Sequence, residues 1–225
     1  IYNYDILISN LSNLGYDTIS YSIYIDCYPD QIDCYKNDYI IQSQNGETIK
    51  SYFDSIRGQA LALRYDKHKE IAQNREPSIK NLGQKGIFLD TLAADTIWGK
   101  VDYNGTISPG ANSSYIFNYL KELETLNYLH SLYNGPILTE GVRPLFWIGK
   151  VDSIEGSTSF SNAENDPIIT DLDLKLFHPK MVMYGGTWSN FFEGCYLNNK
   201  CYINPIKIDK YIATHIAFGH AGFID

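Results

Sequence analysis

The strongest constraint on this chain is a unit that occurs twice: a short, almost wholly apolar run that ends in a carboxylate. Gly86-Ile87-Phe88-Leu89-Asp90 is the first and Pro136-Ile137-Leu138-Thr139-Glu140 the second. Runs of this length and polarity suit buried parallel strands. Between them Ser114 opens a segment in which Ile116, Phe117, Leu120, Leu123, Leu126 and His130 recur three or four residues apart. That is the period of a helix with one buried stripe, and Asn134-Gly135 closes it. A strand, a helix and a second strand in this order make a crossover unit, which predicts an α/β architecture with a parallel sheet.

The rest of the chain extends the pattern. Thr18 to Ile25 is β-branched and aromatic and follows a turn signal at Leu14-Gly15-Tyr16-Asp17, so it is expected to be a strand. Cys27 to Lys50 is expected to be a long loop with at most a short hairpin, Ala60 to Arg64 a strand, and Lys67 to Asn74 a helix. Pro77 then starts a further helical turn and Gly83 ends it. Phe146 to Asp152 is expected to be a third carboxylate-ended strand, Ile168 to Phe177 an amphipathic helix, and Met181 to Tyr184 and Tyr211 to Phe218 the last strands. The sum is a (β/α)8 barrel-like chain. At 225 residues against a typical barrel of about 250, it is expected to be one catalytic domain, 1–225, that lacks a first or last strand. It begins with Ile1 and stops at Phe223-Ile224-Asp225 inside what reads as an element, so a piece of a longer protein is expected.

Composition narrows the function. Hydrophobic residues at 44% against 20% charged ones supply enough apolar surface for a core, which argues against disorder. The net charge of −8, with no Lys/Arg-rich block, argues against a nucleic-acid partner. It also disfavours strongly anionic glycans unless Arg143 or Lys150 offsets it locally. No apolar run reaches the roughly 18 residues that a bilayer span needs. The cysteines form two local pairs, Cys27 with Cys34 and Cys195 with Cys201, spaced unlike a zinc knuckle. Two short-loop disulfides in an exported protein fit, and so do buried thiols. The expected location is therefore extracellular or periplasmic, with the cytoplasm as the alternative. Asn-x-Ser/Thr triplets at Asn10, Asn104 and Asn112 decide nothing about compartment in so Asn-rich a chain.

Chemistry on parallel α/β sheets gathers at the C-terminal strand ends, where Asp90, Glu140 and Asp152 are expected. If the strands of Asp90 and Glu140 are neighbours, a spacing of ~4.8 Å brings both carboxylates within reach of one glycosidic bond. One carboxylate can attack the anomeric carbon while the other, protonated, gives its proton to the leaving oxygen. An acid after an apolar strand also serves as an ordinary helix cap, so the functional reading rests on the pair. Trp98, Trp147, Trp188 and Tyr184 fall at expected rim loops and strand ends, where aromatic rings can stack on sugar faces. Each can equally be core, and with 19 tyrosines some lie near any pocket. No G-x-S-x-G, G-x-G-x-x-G or phosphate-loop motif is present, so no cofactor is expected. His130, His178, His215 and His220 lack a compact pair spacing. No metal is expected, and a site of Asp90, His178 and His215, as in a metal-dependent sugar deacetylase, stays as an alternative.

Ile79 to Ala94, Val101-Asp102-Tyr103, Gly135 to Gly141, Phe146 to Asp152 and Phe177 to Gly186, in that order, resemble the catalytic barrel of large bacterial endo-α-N-acetylgalactosaminidases, glycoside hydrolase family 101, and their relatives. The resemblance covers roughly Gly58 to Gly222. It implies a retaining glycosidase acting on an α-linked sugar of a carbohydrate substrate through a covalent glycosyl-enzyme. Asp90 would be the nucleophile and Glu140 the general acid and base. By their positions in the chain, Asp152 is expected to hold a substrate hydroxyl or support the pocket, and Tyr184 and Trp188 to line it. The family's enzymes are far longer and carry β-sandwich and sugar-binding modules absent from this sequence. A barrel that binds glycan without cleaving it is the competing reading, because one scaffold hosts many activities.

Overall fold

A computed structural model describes residues 4–94, 97, 99–105, 114–140, 146, 147, 149–155 and 209. The chain divides into two compact units, Ile1–Ile137 and Leu138–Asp225.

The first unit opens with helix α1, Tyr4–Asn13, followed by strand β1, Ile19–Ser22. The chain then makes an antiparallel excursion of β2 (Asp26–Cys27), a 3-10 turn at Asn37–Tyr39, β3 (Lys50–Asp54) and β4 (Gly58–Ala62). Helix α2, Tyr65–Lys80, leads to β5, Gly86–Leu89, and helix α3, Tyr115–Leu132, leads to β6, Ile137–Glu140, whose first residue closes this unit. β1 and β5 pair in parallel, Ile19 opposite Gly86 through Ser22 opposite Leu89. The side-chain period of two then splits the pair into two faces. Ser20, Ser22, Ile87 and Leu89 are buried on one of them, while Tyr21 is 64% exposed on the other, its ring stacked on that of Phe88 at 5.9 Å.

The buried face meets the helices through a polar knot. Glu76 of α2 is fully buried; its Oε1 accepts from Ser22 Oγ at 2.7 Å and from the Tyr24 hydroxyl at 2.6 Å, and its Oε2 from the Tyr133 hydroxyl at 2.7 Å. A buried carboxylate is tolerable only with its lone pairs occupied in this way. Burial, with the Glu76 charge adding to it, pushes the Tyr24 and Tyr133 phenols above their ordinary range. Between the helices, His68 Nδ1 lies 2.6 Å from Glu122 Oε2, both side chains buried.

Two glycines let the chain cross where β5 begins. A Cβ on Gly86 would stand 2.2 Å from the Pro136 carbonyl oxygen, and one on Gly135 2.3 Å from that of Lys85. The close approach lets Ile87 N–H donate to the Pro136 carbonyl at 3.0 Å. Gly135 is therefore a contact glycine rather than the left-handed helix cap that Asn134-Gly135 implies; α3 ends at Leu132, and Gly83, at φ +104°, ends the turn that follows α2, whose C-cap is Asn81.

β5 and β6 fall where the apolar runs put them, and Ser114 caps α3, its Oγ accepting from Phe117 N–H. Other expectations need correction. Thr18 to Ile25 is broken, β1 stopping at Ser22 before the turn into β2. α2 runs through Pro77 for one further turn, since proline's fixed φ is helical and Glu76 beside it is anchored. The buried stripe of α3 is Asn118, Glu122, Thr125, Leu126 and Leu129; Ile116 and Leu120 are 54% and 51% exposed, and His130 is exposed too. Asn118 Nδ2 donates to the carbonyls of Ile97 and Lys100. Buried hydrogen-bond partners thus set the rotation of this helix.

The small antiparallel sheet, in the order β2-β4-β3, hangs on its own clasp. Cys27 and Cys34 form a disulfide, and Arg57 pairs with Asp30 at 3.1 Å. Cys195 and Cys201 lie outside the described residues.

In the second unit β6 pairs in parallel with β7, Ser153–Glu155, placing Leu138 opposite Ser153 and Glu140 opposite Glu155. Phe146 to Asp152 is not the expected strand: Phe146, Trp147, Gly149 and Lys150 are turn-like and Val151 makes an isolated bridge. The apolar run there feeds a buried corner, with Trp147, Val151 and Ile154 in the core. The elements expected at Ile168 to Phe177, Met181 to Tyr184 and Tyr211 to Phe218 lie outside the described residues.

Candidate active site

Asp90 follows the last residue of β5, and its backbone N–H still donates to the Ser22 carbonyl at 2.9 Å. The carboxylate is therefore mounted on the C-terminal edge of the parallel pair rather than on a free loop. The Tyr21 hydroxyl donates to Asp90 Oδ2. Tyr21 belongs to the face of the pair opposite the Glu76 knot, so the half-buried carboxylate is kept out of the helix-side core.

Thr91 comes next at φ +57°. A β-branched side chain in the left-handed region is strained, at a cost of about 1–3 kcal/mol, and such strain persists only where surrounding structure holds it. Here the Ala94 N–H donates back to the Thr91 carbonyl at 3.0 Å, and Leu92 and Ala93 are buried. The Thr91 hydroxyl is buried and makes no hydrogen bond among the described residues. Strand, carboxylate and strained elbow together turn the chain sharply at Asp90.

β1 ends level with β5, so the excursion that follows β1 starts from the same edge as Asp90. An open cleft of about 330 Å³ is lined by Tyr21, Ser22, Ile23, Gln31, Asp33, Arg57, Arg75 and Ile79. The Arg57 guanidinium lies 3.9 Å over the Tyr28 ring. Burial, then the Asp26 charge, push the Tyr28 phenol up against the opposing pull of Arg57, and the Asp90 charge adds to the rise. Asp33 is held below the usual carboxylate range by its hydrogen bonds from Arg75, the shorter at 2.5 Å. Asp90 is not among the lining residues, and within the walls the Ser22 hydroxyl and the Arg57 and Arg75 guanidiniums are engaged by Glu76, Asp30 and Asp33.

Among the sequence-derived candidates, Glu140 is the half-buried last residue of β6 in the second unit, level with Glu155. Asp152 precedes β7 and stands at its entry end. It does not occupy the strand-end position expected of it, because the strand begins one residue later; Glu155 holds that position. Trp147 is 1% exposed, a core residue rather than a stacking platform. Trp98, Tyr184 and Trp188 lie outside the described residues, as do His178 and His215. Among the described residues no three His, Cys, Asp or Glu side chains are grouped to hold a metal ion. No described helix is long and apolar enough to cross a membrane.

Tyr21 is the residue that sequence reasoning passes over. Its signal is the alternation Ser20-Tyr21-Ser22, in which the small polar residues face the helices and the large ring faces away.

No family model matches the chain, and no curated protein matches its sequence. Solved structures do match it. An α-N-acetylgalactosaminidase, NagBb of Bifidobacterium bifidum, in complex with GalNAc superposes with a TM-score of 0.65 at 14% identity, covering 79% of this chain and 28% of its own. An α-galactosidase of Thermus thermophilus, TtGalA, gives 0.61 at 13% identity over 98% of this chain and 46% of its own. A maltogenic α-amylase of Thermotoga neapolitana, AmyB, gives 0.52 at 9% over 80% and 40%. At these identities the likeness is one of α/β barrel architecture, and the chain spans less than half the length of each of these proteins.

Proposed function

We propose that this chain carries the catalytic center of a retaining glycoside hydrolase acting on an α-linked sugar, related to the endo-α-N-acetylgalactosaminidase type. Asp90 is the nucleophile and Glu140 the general acid and base. The observation that carries the reading is the mounting of Asp90: a half-buried carboxylate on a parallel strand end, oriented by a phenol and followed by a strained residue. The barrel fold shared with an α-N-acetylgalactosaminidase, an α-galactosidase and an α-amylase supports it. The Cys27–Cys34 disulfide supports export to an oxidising compartment.

In the first step Asp90 attacks the anomeric carbon as the bond to the leaving oxygen breaks, and Glu140 gives that oxygen its proton. The product is a glycosyl ester on Asp90. In the second step Glu140 takes a proton from water, the water oxygen attacks the anomeric carbon, and Asp90 leaves as carboxylate, giving net retention.

The test is intact and peptide mass after incubation with 5-fluoro glycosyl fluorides of α configuration bearing galactose, N-acetylgalactosamine and glucose. A stable one-sugar adduct on the peptide of Asp90, absent from Asp90→Ala, is expected. A folded chain that forms no adduct with any of the three sugars but binds their oligosaccharides would replace this reading with a glycan-binding barrel.

A further inference from the structure

We propose that Tyr21 is a positioning residue for the Asp90 nucleophile, assigning one carboxylate oxygen to the hydrogen bond and leaving the other to attack the sugar; this rests on the retaining reading above. The strand register and the ring stack set the phenol beside Asp90. Tyr21 is paired with Phe88 in the β1–β5 register and stacked on its ring with an interplanar angle of 10°, two residues before Asp90 on the same strand. Its hydroxyl donates to Asp90 Oδ2. Oδ1 is then the oxygen that forms the bond to the anomeric carbon, and Oδ2 becomes the carbonyl oxygen of the glycosyl ester.

The consequence is unequal for the two steps. As the ester breaks, negative charge returns to the carboxylate and the phenol's hydrogen bond strengthens, which favours departure of Asp90. As the ester forms, charge leaves the carboxylate and the same bond weakens, so its orienting effect there is offset by stabilisation of the starting carboxylate. Loss of the hydroxyl must therefore slow deglycosylation more than glycosylation.

The experiment compares the chain with Tyr21→Phe, which keeps the ring and its stack, on aryl α-glycosides with a good leaving group, the sugar chosen by the adduct in the trapping experiment. The expected result is a fall in kcat of about ten- to a hundred-fold, with KM falling in parallel and kcat/KM changing by less than about threefold. A pre-steady-state burst of aryl alcohol and glycosyl-enzyme visible by mass should accompany it. A residue that only supported the fold would instead lower kcat/KM and thermal stability together and give no burst. Wild-type-like kinetics in Tyr21→Phe, or an equal loss in both steps, overturns the inference while the Asp90 adduct in the unaltered chain keeps the glycosidase reading intact. Absence of that adduct from the unaltered chain overturns both.

Discussion

The two faces of the β1–β5 pair are built from alternate residues of the same strands and put to opposite uses. On the helix side, Ser20 and Ser22 look polar enough for a surface, yet they are buried, and Glu76 gathers Ser22, Tyr24 and Tyr133 into a network that leaves both of its carboxylate oxygens occupied. On the other side, Tyr21 and Phe88 look apolar enough for a core, yet Tyr21 is exposed and spends its hydroxyl on Asp90. A carboxylate with both oxygens engaged by buried neighbours stabilises a fold. A half-buried carboxylate with one oriented oxygen is available for chemistry.

The contrast predicts a double dissociation. Asp90→Asn should lower kcat by about 10⁴- to 10⁶-fold, the scale of losing a nucleophile, with a urea midpoint close to that of the unaltered chain. A large drop in stability instead would place Asp90 among the structural carboxylates. Glu76→Ala should do the reverse, leaving three hydroxyls without their acceptor and costing about 3 kcal/mol in urea unfolding. If Glu76→Ala unfolds at the same urea concentration as the unaltered chain, the helix-side network is not what holds the strands to α2. Gly135→Ala should cost less, about 2 kcal/mol, because its Cβ would meet the Lys85 carbonyl and push β5 out of register. Measured by the same urea titration, a neutral outcome would mean that the crossing can relax.

The smallest effect sharpens the helix-side half by pH. Tyr24 and Tyr133 are held neutral beyond their ordinary range, mainly by burial and further by Glu76, whereas unfolded phenols ionise near pH ~10. Above that pH the unfolded chain binds fewer protons than the folded one, so stability present at neutral pH is lost as pH rises, by up to about 1.4 kcal/mol per pH unit for each phenol. Tyr24→Phe should show a shallower decline in melting temperature between pH 10 and 11 than the unaltered chain. An identical slope would remove Tyr24 from the account.

Local pattern reads well where one physical cause acts alone. The apolar runs at Ile87 and Ile137 mark strands because little besides burial explains them, and Ser114 marks a helix start because its side chain caps the backbone directly. The pattern misleads where polar groups are buried in pairs. α3 looks as though it should bury Ile116 and Leu120, and instead turns toward Asn118 and Glu122, whose partners sit at Ile97, Lys100 and His68. Hydrophobic periodicity carries no record of a hydrogen bond made 54 residues away, the separation of His68 from Glu122. The shift of β7 past Asp152 has the same character: Trp147 and Val151 are apolar because they fill a corner, not because they form a strand.

Sequence alone determined the crossover unit from β5 through α3 to β6 and the presence of Asp90 and Glu140 at its two strand ends, since chain period and polarity are local properties. Tertiary structure decided which face of each strand is core, that Trp147 is interior, that Asp152 stands at the wrong end of its strand, and that Tyr21 attends Asp90. Each of these depends on which segments lie side by side. That pairing is set by the sum of buried hydrogen bonds and packing over the whole fold, and no window of neighbouring residues contains it.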